Sequence, residues 1–189
     1  MGCLNDVLSN ANYSTETKLH AMIAVGDICL AIEEEFQQYL DETMKCLFTA
    51  CQVTLLPPPN TPTFEPDENI NKLRDSIIDA FISIIHGMQP VAQNGTEFEK
   101  RLQGYAADIL HYIDALLSKP DLQTNDEFVK NVYELYIDVT EYYGEAIRGQ
   151  MRQMCGPRIL RDGLSNFNFP GMDTIRDRFM ASMSRVGCV

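Results

Sequence analysis

The chain has no tryptophan, only three histidines, and no C-x-x-C pair among its six cysteines. Without tryptophan, no indole N–H donor is available to any binding face. His20, His86 and His111 are far apart, and none belongs to a His-x-x-x-His or Glu-x-x-His pair, so helix-borne metal ligation finds no ligand set and no metal is expected. Cys3, Cys29, Cys46, Cys51, Cys155 and Cys188 follow no regular spacing, which fits a reduced chain better than a disulfide scaffold. No apolar run approaches the ~18 residues of a membrane span, and there is no secretory h-region. A Gly-rich phosphate loop and a nucleophile elbow are both missing. Glu33-Glu34-Glu35 project in different directions from a helix, which makes them a solvated corner and not a cation cage. These absences leave catalysis without footing, so neither enzymatic chemistry nor a cofactor is expected.

Positive charge is also scarce where it would matter. The chain carries 15 Lys/Arg against 27 Asp/Glu, a formal net charge of −12. Residues 1–150 hold 9 Lys/Arg against 24 Asp/Glu, whereas residues 151–189 hold 6 against 3. An acidic body of this kind repels nucleic acid and anionic membrane and attracts basic proteins or peptides. The apolar fraction of 45% over 189 residues is ordinary for a folded protein.

What is present is helical periodicity. Leu19, Ile23, Ile28 and Ile32 fall near helical spacing, and Phe36, Leu40, Met44 and Leu47 continue on a second helix after the acidic corner. Ile70, Leu73, Ile77, Phe81, Ile84 and Ile85 mark a helix from about 67 to 88. Leu102, Ala106, Ile109, Ile113 and Leu116/Leu117 mark another over 97–118. Thr96 with Glu99, and Thr124 with Glu127, have capping-box spacing at two helix starts. Pro57-Pro58-Pro59, Pro62 and Pro66 impose an irregular connector at 53–66. Gly144 is read as a helix break, with a further helix over 145–154. Short helices are expected near 158–164 and from 173 to 185.

No segment alternates as a strand does. The fold class expected is all-α: an α-solenoid of stacked antiparallel helix hairpins in one array over 1–189. It comprises a partial repeat over 1–14, hairpins at about 15–52, 67–118 and 124–155, and terminal helices over 158–185. The interval between hairpins is somewhat longer than the ~40–47 residues of HEAT units.

The stretch Val25-Gly26-Asp27-Ile28-Cys29-Leu30-Ala31-Ile32, running into Glu35-Phe36-Gln37-Gln38-Tyr39-Leu40, resembles the late HEAT repeats of the importin-β family. Asn71-Lys72-Leu73-Arg74-Asp75-Ser76, Tyr112-Ile113-Asp114 and Tyr142-Tyr143-Gly144-Glu145 follow in the family's order. The resemblance implies a C-terminal portion of a nuclear import receptor, under a quarter of its length, either truncated or the product of a fragmentary gene. It implies residence in cytoplasm, nucleus and nuclear pore. It also implies an importin-α adaptor helix or basic cargo as partner, and places any Ran site in N-terminal repeats outside this chain. Slots between outer helices are expected to take Phe-Gly nucleoporins, with no residues assigned to them.

In the family, second helices line the concave face; here these would be 35–52, 97–118 and 145–154. The partner-binding residues expected are therefore Asp41, Glu42, Asp108, Asp114 and Glu145, as acceptors for Arg and Lys. Phe179 takes the place of a family tryptophan and is expected to pack on a basic helix. Two rival readings stand beside this one. One is a HEAT-type scaffold for another intracellular complex. The other is a membrane adaptor acylated at Gly2, although Asp6 occupies the place where that signal prefers Ser or Thr.

Overall fold

The computed structural model describes residues 1–10, 12–55, 68–91, 96–117, 126–154 and 171–187. Among the described residues all regular structure is helical, as the periodicity requires. The helices are α1 (Gly2–Ser9), α2 (Thr15–Ile32), α3 (Gln37–Leu55), α4 (Glu68–Met88), α5 (Glu97–Leu117), α6 (Asp126–Met151) and α7 (Met172–Val186). They fall into two compact units, Met1–Val91 and Ala92–Val189. The division falls between α4 and α5, the two helices that the periodicity assigned to one hairpin. The proline connector, the Thr124–Glu127 cap and the 158–164 helix lie outside the described residues or side chains.

In the first unit, α2 starts where the Ser14 side chain accepts the Thr17 backbone N–H at 3.2 Å. It ends at Glu33, whose φ of 41° and ψ of −110° turn the chain through the 3₁₀ segment Glu33–Phe36 into α3. Phe36, Leu40, Met44 and Leu47 are all buried, the stripe anticipated for this helix. On α4 the stripe Leu73, Ile77, Phe81, Ile84, Ile85 is buried too, and Phe81 meets Phe48 of α3 with ring centroids 5.6 Å apart. Arg74 is buried because its guanidinium has work to do: Nη2 donates to the Thr54 carbonyl at 2.8 Å and Nη1 to Asn71 Oδ1 at 2.9 Å. A cation on the last carbonyls of α3 complements that helix's negative end.

α2 and α4 run parallel. Lys72 near the start of α4 feels Glu16 near the start of α2, Gly26 faces Ala80 and Ser83, and Gly87 lies on Cys29. They are thus equivalent helices of successive repeats. α2 corrects one expectation. Its buried face is Met22, Val25, Gly26 and Cys29, not the line through Leu19, Ile23, Ile28 and Ile32. The contact with α4 needs small residues: a Cβ on Gly87 would sit 2.9 Å from Cys29 Sγ and 3.0 Å from its carbonyl oxygen. Close approach therefore selects the glycine-bearing face, and Ile23 is left outside. Cys29 behaves as a buried hydrophobe, its thiol pushed up to about 12 by burial.

In the second unit, the Thr96 hydroxyl accepts the Glu99 N–H at 3.1 Å and starts α5. α5 buries Leu102, Ala106, Ile109, Ile113, Leu116 and Leu117. It packs on α6, and α6 packs on α7. The second correction falls here: α6 is continuous from Asp126 to Met151, with no break at Gly144 and no separate helix over 145–154. Gly144 is a contact residue. A Cβ there would lie 2.6 Å from Val186 Cγ1 and 3.2 Å from Thr140 Cγ2, so glycine lets α7 close on α6.

Candidate partner-binding faces

Exposure decides what each expected partner-binding residue can do. Asp41 and Glu42 are neighbours on the exposed side of α3. Lys45 follows one turn later on the same helix, so a basic ligand there meets local competition. Asp108 is exposed on α5, whereas Asp114 is half-buried. The two are six residues apart, which at 3.6 residues per turn places them on different sides of α5. Glu145 is exposed on α6 but pairs with Arg148 three residues on. Asp41 and Glu42 belong to the first unit, and Asp108, Asp114 and Glu145 to the second.

Phe179 is in a different place from the one expected. Its side chain is 0% exposed. The ring stands edge-on to Tyr133 at 5.0 Å and to Tyr136 at 6.4 Å, in the core between α6 and α7. Three aromatics at this spacing fill volume that aliphatic residues would leave open, and Phe179 has no surface to offer a partner. It is a core residue.

A second face was not assigned from sequence. Ile23, Gly26 and Leu30 lie at i, i+3 and i+7 on one side of α2, with Gly26 turned toward Ser83 of α4. A Cβ on Gly26 would meet the Ser83 side chain at 3.0 Å, so the two helix backbones come close along this line. Ile23 is 49% exposed and Leu30 45%, above and below that point. The result is a shallow crease between parallel helices with a small-residue floor and two aliphatic side chains on one bank. A signal existed in the sequence: α2 is apolar nearly all round, more than its buried face needs.

Among the described residues, no group of three His, Cys, Asp or Glu side chains is arranged to hold a metal ion. No described helix is long and apolar enough to cross a membrane.

Residues 1–162 match the family of importin subunit beta-1-like proteins, TPR repeats. Importin subunit beta-1 of Saccharomyces cerevisiae is 25% identical over 156 residues, covering 82% of this chain and 16% of that protein. The solved structure of yeast importin-beta (Kap95p) superposes with a TM-score of 0.77 at 20% identity, over 100% of this chain and 21% of that one. The Kap95:Nup1 complex gives 0.74 at 20% identity with the same coverage. The fold is thus that of an importin-β HEAT-repeat solenoid. The parallel helices α2 and α4 start at Thr15 and Glu68, an interval well beyond the ~34 residues of a TPR unit and nearer the HEAT class.

Proposed function

This chain belongs to the importin subunit beta-1-like family, and on that basis we propose that it acts as a C-terminal segment of a nuclear import receptor, binding a basic adaptor helix or basic cargo. It spans 16% of the yeast relative's length, so the whole receptor's activity is shared with repeats outside it. The observation that carries the reading is the pairing of family membership with an acidic body whose Asp41, Glu42 and Asp108 are exposed. Such carboxylates attract Arg and Lys through charge-assisted hydrogen bonds, each exposed pair adding about 0.2–1 kcal/mol. The work is recognition without chemistry, in a protein moving between cytoplasm and nucleus.

Calorimetric titration with a synthetic importin-β-binding helix tests this, at low and physiological salt. Saturable binding that weakens with salt and with Glu42→Ala or Asp108→Ala supports it. Folded, helical protein that binds nothing at low salt sinks it and favours a scaffold for another complex.

The crease on the first unit favours a second, compatible contact. Nup1 is the partner in the Kap95:Nup1 structure. We infer that here Ile23 and Leu30 receive apolar side chains of a Phe-Gly nucleoporin segment, because two large aliphatics stand exposed beside a small-residue floor. Ile23→Ser should abolish capture of a Phe-Gly peptide while leaving the adaptor titration unchanged. Undiminished capture would remove the crease from this role.

A further inference from the structure

The crease is not purely apolar. Asp27 lies at i+4 from Ile23 and i−3 from Leu30, so an exposed carboxylate stands between the two exposed aliphatics on the same side of α2. Asp27 has no ion-pair partner among the described residues. The order along the stripe is therefore apolar, acidic, apolar, at a pitch of about one turn per group.

We propose that the α2/α4 crease is selective for segments in which a lysine or arginine sits between two apolar anchors. This rests on the nucleoporin reading above and specifies which segments the face prefers. The two aliphatics supply contact area, and area alone does not discriminate among apolar peptides. A carboxylate between them does: a cation placed opposite is attracted, an uncharged residue is tolerated, and an acid is repelled. The crease then sorts otherwise similar Phe-Gly segments by the charge of what lies between their anchors.

The test uses the whole chain and three fluorescent peptides, each with two Phe-Gly pairs around a central Lys, Gln or Glu. Fluorescence anisotropy at low salt should rank them Lys, Gln, Glu, with Lys over Gln by up to about fivefold, the most that an exposed pair supplies. Asp27→Asn should narrow the ranking without removing Gln-peptide binding, and a ranking unchanged in that variant overturns the proposal. Raising the salt to about 0.5 M should shrink the ranking, since exposed charges are screened within a few ångströms there. Equal affinity of the Lys and Gln peptides for the unmodified chain overturns the charge selection and leaves the Phe-Gly reading intact. Loss of all three, with helicity retained, overturns both. Sedimentation settles the remaining occupant: a dimer dissolved by Ile23→Ser, with no peptide bound, means the face pairs with a second copy and the proposal fails.

Discussion

The two units close their helix contacts by different means. In the first, α2 meets α4 through Gly26, Ser83, Gly87 and Cys29, so backbones approach closely and large aliphatics are pushed to the outside. In the second, α6 meets α7 through the rings of Tyr133, Tyr136 and Phe179, and its one close glycine, Gly144, admits the Val186 side chain and not a neighbouring backbone. Small-residue packing leaves a crease with exposed Ile23 and Leu30, whereas ring packing leaves none of its three aromatics exposed. Within this chain, the residue size at the seam decides whether large side chains are left outside a helix contact or consumed by it. That contrast can be attacked residue by residue.

Phe179→Ala is the largest blow to the second mode. It removes a fully buried ring and leaves Tyr133 and Tyr136 facing a void, at an expected cost of about 3–5 kcal/mol. Urea unfolding followed by tyrosine fluorescence should show the loss. A change under about 1 kcal/mol would mean that the ring is dispensable, as a partner-facing residue would be.

The glycines come next, and they separate the two modes. Gly87→Ala drives a Cβ into the Cys29 sulfur, carbonyl oxygen and carbonyl carbon, of which the last two are backbone and cannot turn aside. Gly144→Ala meets Val186 Cγ1 and Thr140 side-chain carbons only. Both should cost about 1–3 kcal/mol. Val186→Ala should rescue Gly144→Ala, and Cys29→Ala should rescue Gly87→Ala only in part. Equal rescue at the two sites would refute the distinction between backbone and side-chain seams.

Alkali sharpens the same comparison. Cys29 is raised from 9.0 to about 12 by burial. Tyr143 is raised from 10.0 to about 12, first by burial and then by Tyr142 and Glu99. For both, the folded state favours the protonated form, so this stability is full below the unfolded pKa and is lost as pH climbs toward the folded one. The first unit should weaken from about pH 9 and the second from about pH 10. Each group contributes a slope of about 1.4 kcal/mol per pH unit within its window. Urea midpoints between pH 8 and 11 should fall less steeply above 9 in Cys29→Ala and above 10 in Tyr143→Phe, the remaining slope coming from Cys51 and Tyr133, which burial also raises. Parallel curves in all three proteins would contradict the burial argument.

Legibility followed the same divide. The stripes of α3, α4 and α5 could be read because apolar and polar residues alternate at one helical period and leave a single solution. α2 could not, since with apolar residues nearly all round the buried face is chosen by where glycine allows a neighbour to come close. Gly144 was misread for the related reason that a glycine breaking a helix and one admitting a helix look alike until Val186 is in place. Of the candidate site, the exposure of Asp41, Glu42 and Asp108 was legible from the apolar stripes they avoid. The burial of Phe179 was not, because it depends on Tyr133 and Tyr136, more than forty residues earlier in the chain. The crease was missed because it exists only once α2 and α4 are side by side.

At the corner of the first unit, Glu33 sits at φ 41°, ψ −110°, a conformation that glycine reaches without steric penalty. Its side chain is exposed, so replacing it removes no packing. Glu33→Gly should therefore raise stability by about 1 kcal/mol, from a strain cost of about 2 kcal/mol less about 1 kcal/mol for glycine's extra unfolded-state freedom. Glu33→Ala keeps the Cβ and should give no gain. A gain equal in both variants would assign the effect to relief of repulsion among Glu33, Glu34 and Glu35 instead.

The smallest expected effect tests whether the second unit's seam needs its rim. Arg178 of α7 reaches Asp138 at 3.8 Å and Glu141 at 3.4 Å on α6. The Arg178 side chain is 47% exposed, so water screens the pair and each long side chain loses freedom by making it. Arg178→Gln should then cost about 0.5 kcal/mol, with a salt dependence that disappears in the variant. Asp138 is the exception at this rim, with a side chain only 12% exposed. If burial gives the pair real strength, a double-mutant cycle with Asp138→Asn will return a coupling above about 1 kcal/mol. A coupling near zero would mean that the aromatic core alone holds α7, and that the ionic rim follows the packing without directing it.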